Sequence, residues 1–250
     1  MAKIYLINVG ANTGHSGKAR SPVFPDGTWI YVPFPQNGGR GQPFPRAACP
    51  FIRVPPGTKS HLDPDWKALT YGDCCKNPRA RALSSVQRGA ILLFWALLWK
   101  TRRGVCIFES HDKGWFLIGA LRVQYILRNG DKVGTLPQAE RERARRNAHV
   151  RGGQVEGRHD VVFLGNRQHS YRFRNAVDWQ VGRDGGLMHR VVKTKEGKRI
   201  RWKTPPRWNS VTRSCRAILD LDFRSDRKLA RLLARRIKKG NKAFDLLEGA

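Results

Sequence analysis

Gly89-Ala-Ile-Leu-Leu-Phe-Trp-Ala-Leu-Leu-Trp99 and Gly114-Trp-Phe-Leu-Ile-Gly-Ala-Leu-Arg-Val123 are apolar at almost every position. A strand with one wet face alternates apolar and polar residues. An unbroken apolar run of this length, rich in aromatic and branched side chains, reads instead as a strand buried on both faces. Ile91 to Trp99 is too short to span a bilayer. The two runs therefore predict a pair of core strands, with room for a pocket at one end. Lys3-Ile-Tyr-Leu-Ile-Asn-Val9 is a third run of this kind, and Val161-Val-Phe-Leu-Gly165 a fourth. Trp29-Ile-Tyr-Val-Pro-Phe34 predicts a further strand, opened by the turn signal Pro25-Asp-Gly27. Val105 to Val123 reads as a hairpin turning near Ser110 to Gly114.

Outside these strands the chain is basic. Among its 250 residues, Lys and Arg number 48 against 19 Asp and Glu, a formal charge of +29, while 40% of residues are hydrophobic. That length and composition allow a sizeable core. The charge excess favours a polyanionic partner, nucleic acid first and an anionic membrane surface a distant third. The plainer reading is charge carried only for solubility. The five cysteines, Cys49, Cys74, Cys75, Cys106 and Cys215, form no CxxC pair. Reduced thiols in a cytoplasmic protein are expected. The first residues do not have the build of a signal peptide.

Residues 35–65 are rich in Pro and Gly and read as an irregular insertion. Arg79 to Val86 suggests a short helix. Leu136 to Asn147 suggests a charged helix, open to a solvated or a phosphate-contacting role. Ser225 is placed to cap a helix over Asp226 to Lys239. Leu229, Leu232, Leu233 and Ile237 share one face of it, and arginines and lysines cover the rest. Asp226 in its first turn, and Lys238 and Lys239 in its last, complement the helix dipole.

Lys3-Ile-Tyr-Leu-Ile-Asn-Val-Gly-Ala-Asn12, then His15, then Ser21-Pro-Val-Phe-Pro-Asp-Gly-Thr-Trp29, resembles the opening of the nucleotide modification associated domain 3 family. Leu69-Thr-Tyr-Gly-Asp73, the Gly89 to Trp99 strand, Phe116-Leu-Ile-Gly119, Asn147-Ala-His149 and Phe163-Leu-Gly165, leading to Ser170 and Ala176-Val177, follow in the same order. The resemblance covers residues 3 to about 180. It implies a domain linked to modification of nucleic-acid bases, with no settled reaction. The two central strands are also similar to those of PUA-like domains (the EVE, YTH and ASCH group), where a small mixed barrel forms a pocket for a base. Ala90 departs from that pattern, in which an acidic residue often follows the glycine.

The candidate base pocket gathers Asn8, Asn12, His15 and Ser21 from the first loop. Tyr71 and Asp73, Trp95 and Trp115, Asn147 and His149, and Ser170 complete it. Asn amides read base edges or close turns. His15 titrates near neutral pH. Asp73 beside Tyr71 suits base recognition, general-base work or simple turn chemistry. The tryptophans are stacking candidates or plain core. Arg20, Arg172, Arg201, Lys203, Arg207, Arg231, Arg235 and Arg236 are the phosphate-contact candidates. Trp202 and Trp208 among the basic residues suit an exposed nucleic-acid surface. His149, His159 and His169 share no ligand spacing, so no metal is expected. Phosphate-loop, dinucleotide and nucleophile-elbow motifs are absent, so no cofactor is expected.

These features predict an α+β fold: a mixed, partly closed β-barrel of PUA-like type with peripheral helices. Residues 1–180 would form the core and 181–250 a basic extension ending in an amphipathic helix. The expected function is nucleic-acid binding, DNA ahead of RNA, with a possibly modified base held in a pocket. The alternative is an enzyme acting on nucleobases or nucleotides (a glycosylase, transferase or nuclease) with an acid–base pair such as His15 and Asp73. A basic structural component without a pocket is the third reading.

Overall fold

The computed structural model describes residues 3–11, 15–36, 41–76, 80–180, 186–191 and 215–248. Its strands are β1 (Lys3–Asn8), β2 (Ser21–Val23), β3 (Phe34–Gln36), β4 (Lys59–His61), β5 (Thr70–Cys74), β6 (Ile91–Lys100), β7 (Lys113–Arg128), β8 (Val150–Arg151), β9 (Gln154–Val155), β10 (Asp160–Gly165), β11 (Tyr171–Asp178) and β12 (Cys215–Asp220). The α-helices are α1 (Gln138–Arg145), α2 (Gly186–Val191) and α3 (Arg224–Gly240).

The two apolar runs form β6 and β7, antiparallel neighbours at the centre of the main sheet. Every residue of β6 except Lys100 is buried. The sheet runs β12-β1-β6-β7-β10-β5, with β2 paired to β6 and β11 paired to β7. β1 lies parallel to the first half of β6 and β2 parallel to its last three residues. The other pairings in the main sheet are antiparallel. The expected mixed α+β class is therefore what the chain adopts. Among the described residues the sheet does not close into a barrel: its path ends at β12 and at β5.

Alternation along β6 splits the core in two. Ile91, Leu93, Trp95 and Leu97 face a cluster with Leu117, Phe173, Trp179 and the apolar stripe of α3, namely Leu229, Leu233 and Ile237. Leu92, Phe94, Ala96 and Leu98 face a second cluster with Tyr31, Tyr71, Ile118 and Phe163. Burying an aliphatic or aromatic side chain of this size contributes about 1.5–3 kcal/mol. Both faces of β6 are covered, which is why its sequence shows no alternation.

The expected C-terminal amphipathic helix is present as α3, which covers one face of the main sheet, and β12 before it pairs with β1. Several expectations are corrected. Trp29 to Phe34 is not a continuous strand: Thr28 and Trp29 make isolated bridges to Asn175 and Val23, and only Phe34 joins β3. Val105 to Phe108 is not a hairpin arm. It leads into a 3-10 turn over Ile107–Glu109, and β7 pairs back onto β6 instead. The short helix expected between Arg79 and Val86 is present as a 3-10 helix over Arg81–Ser85. Phe223, not Ser225, is the N-cap of α3. Asp226 is buried, and its Oδ2 accepts the Asp220 N–H at 3.0 Å.

Candidate functional site

The 35–65 segment builds a polar centre. β4 pairs with β3 so that His61 lies opposite Phe34, and the two rings stack at 4.8 Å. His15 stacks on Phe34 in turn, at 5.5 Å. Two residues beyond His61, the Asp63 carboxylate is buried. The Tyr31 hydroxyl donates to its backbone carbonyl. Its Oδ1 accepts the Gly72 N–H at 3.1 Å and Asn147 Nδ2 at 2.8 Å.

Asn147 follows α1 and fixes His149, whose N–H donates to Asn147 Oδ1 at 3.0 Å. His149 Nδ1 meets Asp160 Oδ2, at the start of β10, at 2.8 Å. Gly72 makes room for this packing: a Cβ there would lie 2.4 Å from His149 Cδ2 and 2.7 Å from Asn147 Oδ1. The rings of His61 and His149 meet edge to face at 5.2 Å.

Three atoms converge as a result. Asp63 Oδ2 lies 3.3 Å from His61 Nε2 and 3.5 Å from His149 Nε2. Asp63 Oδ2 and His149 Nε2 are buried with no hydrogen-bond partner. Burial works to lower the His149 pKa, but the Asp160 hydrogen bond and the charges of Asp63, Asp160 and Asp73 outweigh it, so it stands above the ordinary 6.5. His15 is shifted the other way, by burial and then by Lys18.

The expected pocket residues meet different fates. Asn147 and His149 belong to this centre, and His15 is linked to it through the ring stack on Phe34. Tyr71 is buried and its hydroxyl donates to Asp73 Oδ2 at 2.6 Å; Asp73 Oδ1 accepts the Cys74 N–H at 2.8 Å. Asn8 donates to the Trp95 carbonyl at 3.4 Å. Ser21 accepts the Val32 N–H at 3.0 Å, and Ser170 accepts the Arg122 N–H at 3.1 Å. Trp95 and Trp115 are fully buried against each other and offer no face to a base. Asn12, Arg201, Lys203, Arg207, Trp202 and Trp208 lie outside the described residues.

The arginines also divide. The Arg20 guanidinium covers Trp99 at 4.0 Å and donates to the carbonyls of Ser16, Ile107 and Ser110. Arg172 covers Trp29 at 4.3 Å and donates to its carbonyl. Arg236 donates to the Asp178 carbonyl at 3.1 Å. These three pin the fold. Arg231 and Arg235 instead line a groove of about 930 Å³ along α3, with Arg224, Arg227, Lys228 and Lys238. α3 packs on the Trp95 face of the sheet, whereas the histidine centre joins the Tyr31 and Tyr71 side.

A family model described as nucleotide modification associated domain 3 matches residues 3–216. The chain belongs to this family. No curated protein and no solved structure matches it. The nucleotide modification associated domain runs past residue 180, where the sequence resemblance fades, into β12. It also contains the whole histidine centre. His61 and Asp63 escape sequence reasoning because their Pro- and Gly-rich surroundings read as an insertion. The legible signal is His61-Leu-Asp63 itself: residues two apart on an extended segment project to the same side.

Proposed function

We propose that this protein is an enzyme that modifies a base or nucleotide, with the His61–Asp63–His149 centre as its reaction site. One observation carries the reading. A carboxylate oxygen and an imidazole nitrogen are buried 3.5 Å apart with no hydrogen-bond partner for either. Leaving such groups unsatisfied costs about 1–3 kcal/mol each, and buried titratable groups held beside one another recur at functional sites. Asp160 fixes the His149 ring, as an orienting carboxylate does in other acid–base sites. His61 and His149 therefore take the place of the His15 and Asp73 pair read from the sequence. The family's link to nucleotide modification supplies the substrate class.

The test is nucleoside mass spectrometry. DNA, RNA and nucleotide pools from cells expressing the chain are digested and compared with those from cells expressing Asp63→Asn. A nucleoside gained or lost with the unaltered chain alone is the expected result. Identical profiles in all three pools would overturn the reading.

The groove along α3 favours a second, compatible reading: nucleic-acid binding, DNA ahead of RNA, with phosphates held by Arg227, Arg231 and Arg235. Binding measured over a salt series tests it, and no affinity for DNA or RNA at low salt would remove it.

A further inference from the structure

We infer that His61, Asp63 and His149 bind one divalent first-row transition-metal ion, through His61 Nε2, Asp63 Oδ2 and His149 Nε2. The inference names an occupant for the proposed reaction site and in that sense rests on that reading.

The donor set supports it first. One ligand atom from each residue lies within 4.8 Å of the other two. With metal–ligand bonds of about 2.0–2.2 Å, ligands at the corners of a tetrahedron or octahedron stand roughly 2.8–3.6 Å apart. The measured 3.3 and 3.5 Å separations from Asp63 Oδ2 fall in that range.

The surroundings support it second. His149 Nδ1 is held by Asp160 Oδ2 at 2.8 Å and His61 Nδ1 by Gln36 Oε1 at 3.1 Å. If each Nδ1 carries the proton, each Nε2 turns a lone pair to the centre. Carboxylate or carbonyl partners behind ligating histidines are the usual outer layer of a metal site. The Asp63 carboxylate is divided in the same way. Oδ1 takes two donors, from Gly72 and Asn147, while Oδ2 is buried and takes none. With both histidines in that tautomer, three acceptor atoms face one another, and a cation between them satisfies all three.

Donor chemistry selects the ion. Two imidazoles and a carboxylate suit Zn²⁺, Fe²⁺, Co²⁺ or Mn²⁺, whereas Mg²⁺ and Ca²⁺ prefer oxygen ligands. Among the described residues the grouped donors are two imidazoles and one carboxylate, with no thiol among them. Three protein ligands leave positions open for water or a substrate atom.

The full chain, stripped with a chelator and shown to be folded, is titrated with Zn²⁺, Co²⁺, Mn²⁺ and Mg²⁺ by calorimetry. One equivalent of transition metal is expected, with Mg²⁺ far weaker. Co²⁺ should give visible ligand-field bands, and Zn²⁺ should shift the Nε2 resonances of two histidines, neither of which needs a variant. Asp63→Asn and His149→Ala should weaken binding more than about 100-fold. Asp160→Asn should weaken it about 10- to 100-fold at unchanged stoichiometry. Absence of stoichiometric binding by the folded chain overturns the inference, as does equal binding by Asp63→Asn and His149→Ala. If the unaltered, folded chain binds no metal yet causes a nucleoside change that Asp63→Asn abolishes, the reaction site stands and the ion is removed. A bound ion without any nucleoside change would do the reverse.

Discussion

Gly72 and Gly119 lack side chains because another residue's atoms stand where a Cβ would be. At Gly119 the Trp66 ring lies 2.3 Å from that position and the Tyr171 carbonyl 2.6 Å. At Gly72 the obstacle is His149, itself tied to Asp160. Gly72→Ala should therefore destabilise by about 1–3 kcal/mol, the usual cost of overpacking, read as a lower urea midpoint. It should also displace the His149 ring, visible as a changed imidazole resonance. In the sequence, Tyr71-Gly-Asp73 reads equally well as a turn, so the reason for this glycine is not legible there. Neither is Asp63, whose partners Gly72 and Asn147 lie 9 and 84 residues away. Sequence spacing carries local geometry, and this centre is assembled from four separate segments.

At the level of elements, α1 shows how a charged helix is docked. Its thin apolar stripe suggests a solvated helix, yet Arg143 is buried. Arg143 pairs with Glu140 and donates to the carbonyls of Ala68, Leu69 and Gly165. The helix is anchored by hydrogen bonds where an apolar face would usually serve. Arg143→Met should cost about 3–5 kcal/mol, because it removes one partner of a buried ion pair together with its hydrogen bonds to the Ala68, Leu69 and Gly165 carbonyls; thermal unfolding measures it. α3 follows the opposite rule. Its apolar residues recur at helical spacing, and Leu229, Leu233 and Ile237 are buried as that period implies. Leu233→Ala should cost about 2–5 kcal/mol by chemical denaturation. β1, β6, β7 and β10 are equally legible, since runs apolar at every position can only be buried on both faces. Trp29 to Phe34 misleads because its aromatics pack into the core without a continuous partner strand.

Across the whole molecule, charge is the property read most directly from composition and placed least well. Among the described residues, the arginines expected to contact phosphate divide between two tasks. Arg20, Arg172 and Arg236 are engaged by backbone carbonyls, and the first two by aromatic faces as well. The cationic groove follows α3 on the sheet face away from the histidine centre. Neutralising Arg227, Arg231 and Arg235 together should weaken DNA binding alike across sequences. It should also lower the slope of log affinity against log salt by about 0.9 for each phosphate left without its cation, measured by fluorescence anisotropy. The same triple variant should leave metal binding at the histidine centre unchanged, because the two sites share no residue.

The pairing of β12 with β1 also sets a timetable. Roughly 200 residues separate these neighbours, about 10–40 s of ribosome time at 5–20 residues per second. Until β12 emerges, the outer hydrogen-bonding edge of β1 waits bare, with the α3 face of the nascent sheet uncovered beside it. Such an edge invites pairing with another chain, so chaperone demand during synthesis should concentrate in that interval and end once α3 has left the exit tunnel.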